Sequence, residues 1–284
     1  MSVEYRRVRV SSALSKSSLY ELDYAYNPYA GCEHGCLYCY ARCFTRYRDA
    51  AEQWGRVVYV KENAVEALAK DVKRADPGIV GVSTITDPYQ PVEARELLSR
   101  RGIEVLLSAG FRVSVQTKSP LVLRDLDILS RHRKLVDVGL TITTMRAEVA
   151  KLIEPGAPPP FERARALSVL GESGVETWVF LGPIIRGVND GEEAIREVAR
   201  VAQETGSKLY YDYFRMKPGL EKSMQPILRS HPQALDTSPA WRESVSRLVE
   251  RICEELGVEC IPSKPRHEQR RITLLHFLND RTLR

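Results

Sequence analysis

Short apolar runs alternate along the chain with longer segments whose apolar residues recur at helical spacing. The run from Ile79 to Thr86 is typical of a buried strand, whereas Val65, Leu68 and Val72 would share one face of a helix. Strands that alternate with helices of this length predict parallel βαβ units. Six such units predict an α/β fold, an open six-stranded relative of the eightfold barrel, with strands at 19–29, 79–86, 112–117, 136–143, 176–181 and 207–214.

The same pattern divides the chain into three parts: an N-terminal arm (1–18), the partial barrel (19–219) and a C-terminal extension (220–284). The arm is rich in arginine, and we expect a solvated segment, with phosphate binding as the open alternative. Within the extension, residues 220–238 are predicted to be irregular and 241–256 to form an amphipathic helix. The last 24 residues are basic and poor in aromatic side chains, which gives little support for base stacking.

Composition narrows the class of protein without defining it. The 284 residues are 43% hydrophobic and 28% charged, which is typical of a globular protein. The sequence shows neither an apolar run of membrane-spanning length nor a signal sequence, so we expect a soluble cytoplasmic protein. A net charge of +5 is compatible with a polyanionic partner. Four of the six cysteines lie within twelve residues, which favours metal binding over a disulfide framework, and Cys253 and Cys260 have no assigned role.

Three cysteines follow the first predicted strand at C-x3-C-x2-C spacing, namely Cys32, Cys36 and Cys39. Thiolates are soft ligands that suit zinc or an iron–sulfur cluster. Structural zinc sites usually carry a second cysteine pair a dozen or more residues further on, and this chain has none at that distance. The spacing therefore predicts a 4Fe–4S cluster held by three thiolates, with one iron left open for a small molecule.

A fourth cysteine, Cys43, leaves an alternative open. Residues 40–49 are predicted to start a helix, which would place Cys43 one turn after Cys39 as a packed thiol near the cluster. If Cys43 instead were a fourth ligand, the cluster would be closed and the protein would be an electron carrier. The segment from Cys32 to Cys43 is called the cysteine loop below. His34, inside this loop, is expected at the surface.

The cysteine spacing, with Tyr38 as the aromatic residue before the third cysteine, resembles the signature of the radical S-adenosylmethionine (SAM) superfamily. Further blocks resemble its spore photoproduct lyase-like branch: Asn27-Pro28-Tyr29, Thr117-Lys118-Ser119, Glu154-Pro155-Gly156 and Gly182-Pro183-Ile184-Ile185. The resemblance runs from about residue 22 to about residue 219. It implies a partial (β/α)6 barrel, a 4Fe–4S cluster and SAM as cofactors, and reductive cleavage of SAM to a 5′-deoxyadenosyl radical.

The resemblance also implies roles for particular residues. Tyr38 and Tyr40 take the places associated with SAM contact and hydrogen-atom return, although packing around the cluster is an equal alternative. Lys118 would pair with the SAM carboxylate. The remaining cofactor-binding residues would be the hydroxyls of Thr141 and Thr143 and, on the adenine side, Gly182 and Ile184.

One position departs from the lyase pattern. Thr84 stands where the lyases hold a hydrogen-donating cysteine, which puts the repair of thymine photoproducts by the same return step in doubt. The positive net charge and the resemblance favour a nucleic-acid base or modified nucleotide as the substrate, with a peptide, cofactor precursor or small metabolite as open alternatives, and imply a lyase or related reaction. An electron donor such as a ferredoxin or flavodoxin is the implied partner. The alternative is a non-catalytic iron–sulfur or zinc protein that binds nucleic acid.

Overall fold

The computed structural model describes residues 2–19 and 21–263, and an eight-stranded sheet forms its centre. The β-strands in spatial order are β11 (Cys260–Pro262), β10 (Lys208–Tyr213), β9 (Glu176–Ile184), β8 (Val136–Thr141), β7 (Arg112–Thr117), β6 (Ile79–Val82), β3 (Tyr24–Tyr26) and β2 (Leu14–Lys16). All neighbouring pairs from β3 to β11 are parallel, and only β2 runs antiparallel to its neighbour. Because β2 and β11 occupy the two edges, the sheet is an open, partial barrel.

The six predicted barrel strands correspond to β3, β6, β7, β8, β9 and β10, and this part of the fold is confirmed. Consecutive strands are neighbours in the sheet, as expected for βαβ units. Their carboxyl ends therefore lie along one edge of the sheet, where barrels of this kind place their active sites.

A second, three-stranded sheet carries the start of the cysteine loop. Its order is β1 (Glu4–Val8), β5 (Val57–Lys61) and β4 (Tyr29–Ala30), with β5 in the middle. The N-terminal arm thus contributes β1 to this sheet and β2 to the main sheet. As a result, β5 lies outside the barrel.

The α-helices connect successive strands along the chain. They are α1 (Arg48–Glu52), α2 (Ala64–Asp71), α3 (Glu93–Glu96), α4 (Leu98–Ser108), α5 (Leu126–Arg131), α6 (Ala147–Ile153), α7 (Pro160–Glu172), α8 (Glu192–Glu204), α9 (Glu221–Leu228) and α10 (Pro239–Leu256). Buried side chains of α4, α7, α8 and α10 pack with the strands in a single apolar core. No helix of residues 2–19 and 21–263 is both long enough and apolar enough to cross a membrane.

Some sequence-based boundaries are wrong. The helix predicted for 40–49 is a short 3-10 turn at Tyr40–Cys43, followed by the separate α1. The segment predicted to be irregular contains α9, since Leu220, Met224 and Ile227 are buried against the cysteine loop and stabilise a helix despite Pro226. The basic residues from 264 onwards lie outside the described part of the chain.

The cysteines fall into two groups. Cys253, near the end of α10, and Cys260, in β11, form a disulfide with a Cα–Cα distance of 6.1 Å. The expectation that the cysteines form no disulfide is therefore wrong for this pair. The four cysteines of the loop are free thiols, as metal binding requires.

Candidate functional site

The cysteine loop lies at the carboxyl edge of the main sheet, directly after β4. Cys32 and Cys36 are buried and Cys39 is half-buried. Gly31 is required where the loop crosses β5: its φ is +84°, and a Cβ there would lie 2.3 Å from the Val57 carbonyl oxygen. The loop therefore packs closely against the second sheet, and its cysteines lie at the carboxyl edge of the main sheet.

The chemistry of this loop fits an iron–sulfur cluster. Burial raises the pKa of Cys36 to about 12, and the Lys118 ammonium acts in the opposite direction. Such thiols lose their protons when they bind metal, so cluster binding releases protons. No three His, Cys, Asp or Glu side chains of residues 2–19 and 21–263 are grouped as ligands of one metal ion. A 4Fe–4S cluster does not need this grouping, because each thiolate binds a different iron.

The segment after β6 holds the cysteine loop from one side. The fully buried Gln90 donates from Nε2 to the Gly31 carbonyl at 3.3 Å and accepts from the Glu33 amide at 3.0 Å. Thr86 Oγ1 donates to the same Gly31 carbonyl at 2.5 Å. Glu33 in turn accepts from the Val92 amide at 2.7 Å. These polar side chains fix the path of the loop, and sequence reasoning did not single them out.

His34 is buried with 1% exposure, so its predicted surface position is wrong. Its Nε2 lies 3.3 Å from Asp87 Oδ2, and its Nδ1 lies 3.3 Å from the Gly156 carbonyl oxygen. Asp87 also accepts from Thr117 Oγ1 at 2.6 Å and from the Lys118 amide at 2.9 Å. Burial alone would raise the pKa of Asp87, but the charge of His34 and these hydrogen bonds lower it to about 2. An ionised Asp87 thus joins the cysteine loop to the end of β7.

A buried ion pair lies beneath the cysteine loop. Arg163 Nη2 of α7 is 2.6 Å from Glu154 Oε2, and both side chains are 1% exposed or less. Glu154 also accepts from the hydroxyls of Tyr38 and, at 3.1 Å, Thr143. Burial would raise the pKa of Glu154, yet the charges of Arg163 and Lys118 bring it below its usual value. This charge network therefore fixes Tyr38 and Thr143, and Arg163 was not foreseen from the sequence.

Lys118 follows β7 and points toward this network. Its Nζ lies 5.8 Å from the centre of the Tyr38 ring. Burial acts to lower the pKa of Lys118, but the nearby Cys36 and Glu154 raise it above its usual value, so the side chain is charged. Within residues 2–19 and 21–263 the ammonium has no hydrogen-bond or ion-pair partner. It is therefore a half-buried cation that can receive an anionic group beside the cysteines.

The other predicted cofactor-binding residues lie at the ends of β8 and β9. Thr141 is buried, and its hydroxyl accepts from Gln116 Nε2 at 3.0 Å. Gly182 is packed on the Phe180 ring, which a Cβ would meet at 2.4 Å, and Ile184 is fully buried. Asn189 was missed from the sequence: its Nδ2 donates to the Thr143 carbonyl at 2.7 Å and so connects the two strand ends.

Tyr40 and Cys43 lie on the exposed side of the loop. The Tyr40 ring is 46% exposed, and its hydroxyl donates to the Thr84 carbonyl at 3.0 Å. Cys43 is half-buried, and its thiol donates to the Pro218 carbonyl at 3.3 Å. The structure therefore brings Cys36, Tyr38 and Lys118 together in the interior and places Tyr40 at the rim.

Gly156 packs directly against the cysteine loop, and its replacement should weaken that packing. A Cβ at Gly156 would lie 2.4 Å from the Glu33 carbonyl oxygen, and the Gly156 amide donates to the His34 carbonyl at 2.9 Å. We expect Gly156→Ala to cost about 1–3 kcal/mol in the free energy of unfolding, measured in urea, and to lower the iron content after reconstitution. The control is Gly171→Ala in α7, where a Cβ meets nothing closer than 3.5 Å. Equal free energies of unfolding and equal iron contents in the two variants would contradict this account of the packing at Gly156.

A model of the Radical SAM superfamily matches residues 26–199, which is more than half of the chain. The chain therefore belongs to this superfamily, whose cofactors are a 4Fe–4S cluster and SAM. The matched region contains the cysteine loop, Lys118, the Glu154–Arg163 pair and the ends of β8 and β9.

Several proteins are similar to this chain. An uncharacterized protein of Methanocaldococcus jannaschii is 30% identical over 220 residues, which cover 77% of this chain and 81% of that protein. An uncharacterized protein of Acidianus two-tailed virus is 32% identical over 189 residues, or 64% of this chain and 62% of that protein. A spore photoproduct lyase complexed with dinucleoside spore photoproduct matches with a TM-score of 0.65 at 17% identity, over 92% of this chain and 82% of the lyase. At that identity the likeness shows the fold.

Proposed function

We propose that this protein cleaves SAM reductively at a 4Fe–4S cluster held by Cys32, Cys36 and Cys39. The observation that carries the proposal is the position of Lys118, a charged, half-buried ammonium next to the buried cysteines. A closed electron-transfer cluster has no need of such a cation, whereas the SAM carboxylate does. When bound, the reduced cluster and SAM supply a 5′-deoxyadenosyl radical for hydrogen abstraction.

The protein residues have three tasks in this proposal. Lys118 binds the carboxylate of SAM, and Thr141 and Thr143 present hydroxyls at the end of β8. Tyr38, held by Glu154, excludes water from the interior side of the cluster. Tyr40, at the rim, is the side chain placed to meet the substrate. The backbone at Gly182 would lie against the adenine ring, with the fully buried Ile184 packed behind it.

We propose a nucleic-acid base or modified nucleotide as the substrate, and a lyase or related reaction. The positive net charge and the fold shared with the spore photoproduct lyase support this class. Thr84, at the edge of the site, carries a hydroxyl that does not easily give up a hydrogen atom, so the product radical must be quenched elsewhere. The proposal includes a cytoplasmic location and an electron donor of the ferredoxin or flavodoxin type.

Anaerobic reconstitution tests the proposed activity. The protein is loaded with iron and sulfide, reduced with dithionite and incubated with SAM, and 5′-deoxyadenosine is measured by chromatography. We expect its formation to require both the cluster and the reductant. If the loaded, reduced protein forms no 5′-deoxyadenosine while it binds nucleic acid, the non-catalytic alternative replaces this proposal.

Removing the charge of Lys118 should weaken SAM binding. The charge-assisted contact with a carboxylate predicts a Kd for SAM about 10- to 100-fold higher in Lys118→Met, measured by equilibrium dialysis, with unchanged iron content. Lys151→Met is the control, because this exposed lysine contacts only the Pro155 carbonyl, at 2.8 Å. An unchanged Kd in Lys118→Met would remove Lys118 from the SAM site.

A further inference from the structure

A cleft of about 450 Å³ lies between the N-terminal arm and the segment that follows the cysteine loop. Three basic side chains line it: Arg9 of the N-terminal arm, Arg46 between the cysteine loop and α1, and Lys61 at the end of β5. None of its lining residues, all of which belong to the described part of the chain, is Asp or Glu. The charged side chains of the lining are therefore all basic.

Two of these cations lack a compensating charge. Lys61 Nζ donates only to the Asn27 carbonyl, at 2.6 Å, and Arg46 Nη2 only to the Tyr47 hydroxyl, at 3.0 Å. Burial, together with the nearby Arg46, lowers the pKa of Lys61 to about 8. Within residues 2–19 and 21–263 neither side chain forms an ion pair, while Arg9 pairs with Glu62 at 3.0 Å. Two adjacent like charges repel each other, and a bound anion would relieve that repulsion.

The rest of the lining offers hydrogen-bond donors and aromatic surface. Serine and threonine residues, including Ser11 and Thr45, line the same space. Phe44 also lines the cleft and is 59% exposed, which is unusual for a large apolar side chain. Arg46 lies over the Tyr47 ring with 5.1 Å between its Cζ and the ring centre. Cations and hydroxyls next to an open aromatic face are typical of a site for a phosphate that carries a base.

We propose that this cleft binds a phosphate group of a nucleotide or of a single-stranded nucleic acid, with Arg46 and Lys61 on the phosphate and Phe44 against the neighbouring base. The cleft adjoins the cofactor site, because Ala30 and Ile85 line the cleft. Ile85 also packs against the buried side chains of Cys32, Ala41 and Trp54. A strand held here is thereby positioned next to the cysteine loop. This assignment depends on the charges and the shape of the cleft and does not require SAM cleavage.

Fluorescence anisotropy with a labelled short oligothymidylate tests the proposal on the cluster-loaded, full-length protein. Because Arg46→Gln loses one phosphate contact, we expect it to bind the oligothymidylate about tenfold more weakly. The slope of the logarithm of its binding constant against the logarithm of the salt concentration should fall in magnitude by about 0.7. The matched control is Arg48→Gln, an equal change of charge two residues away, since Arg48 is exposed, pairs with Glu52 and does not line the cleft. We expect the control to bind as the unmodified protein does.

Further arms identify the source of the phosphate. Phe44→Ala should weaken oligothymidylate binding about fivefold or more and leave competition by inorganic phosphate unchanged. Displacement by thymidine monophosphate at similar concentrations assigns the site to free nucleotides, and displacement by oligonucleotide alone assigns it to strands. Equal weakening by Arg46→Gln and Arg48→Gln, or no binding by the unmodified protein, overturns the proposal. Formation of 5′-deoxyadenosine, assayed on the same samples, reports separately on the proposed function.

Discussion

Replacing Cys36 with alanine should abolish both iron binding and SAM cleavage, whereas Cys43→Ala should preserve them. The unmodified protein should hold about four irons per chain after anaerobic reconstitution, and Cys36→Ala close to none. The reason is that Cys36 is buried beside Lys118, while the thiol of Cys43 is directed to the Pro218 carbonyl. Iron is measured by colorimetric assay and SAM cleavage as 5′-deoxyadenosine.

The two variants form a matched pair, since each removes one free thiol from the same loop. Circular dichroism of the metal-free proteins provides the control for folding. A loss of iron in Cys43→Ala as large as that in Cys36→Ala would assign Cys43 as a fourth ligand. The cluster would then be closed, and the electron-carrier alternative would replace the enzyme.

Replacing Arg163 with methionine should destabilise the protein by about 3–5 kcal/mol, because it leaves the buried Glu154 carboxylate without its cation. The free energy of unfolding is measured in urea on the metal-free protein. Glu154 would keep only hydroxyl donors, from Tyr38 and Thr143, and the more distant Lys118. We also expect the difference in the free energy of unfolding between the unmodified protein and Arg163→Met to shrink at low pH. There the unpaired Glu154 carboxylate of the variant becomes protonated.

Arg165→Met is the control for this prediction. Arg165 lies on the same helix, α7, but is exposed, so its replacement should change the free energy of unfolding by no more than about 0.5 kcal/mol. A small effect of Arg163→Met at neutral pH would mean that the ion pair does not stabilise the fold and that Tyr38 is held by other contacts.

Much of the fold follows from local patterns in the sequence. The βα alternation predicted six parallel strands, which the structure contains as neighbours in the main sheet. Arg112–Thr117 is predicted with its observed boundaries because a clear turn encloses it on both sides. The prediction of a helix over 40–49 is wrong because Tyr40 and Phe44 are exposed and only Ala41 is buried, so no apolar stripe stabilises a helix there.

The site was predictable only where chemistry leaves a spacing signature. Three cysteines at C-x3-C-x2-C spacing on one loop indicate a cluster, and Lys118 follows a strand in a motif that resembles that of the lyases. Gln90, Arg163 and Asn189 could not be found this way, because their roles come from contacts across long sequence distances. Burial of His34 was equally hidden, since its partners Asp87, after β6, and Gly156, after α6, are distant in the sequence.

The electron paramagnetic resonance spectrum of the reduced cluster, recorded with and without SAM, tests the open iron directly. The account predicts a changed spectrum when SAM is added to the unmodified protein and no change in Lys118→Met at the same SAM concentration. A spectrum that SAM leaves untouched in the unmodified protein would contradict the proposed binding of SAM at the cluster.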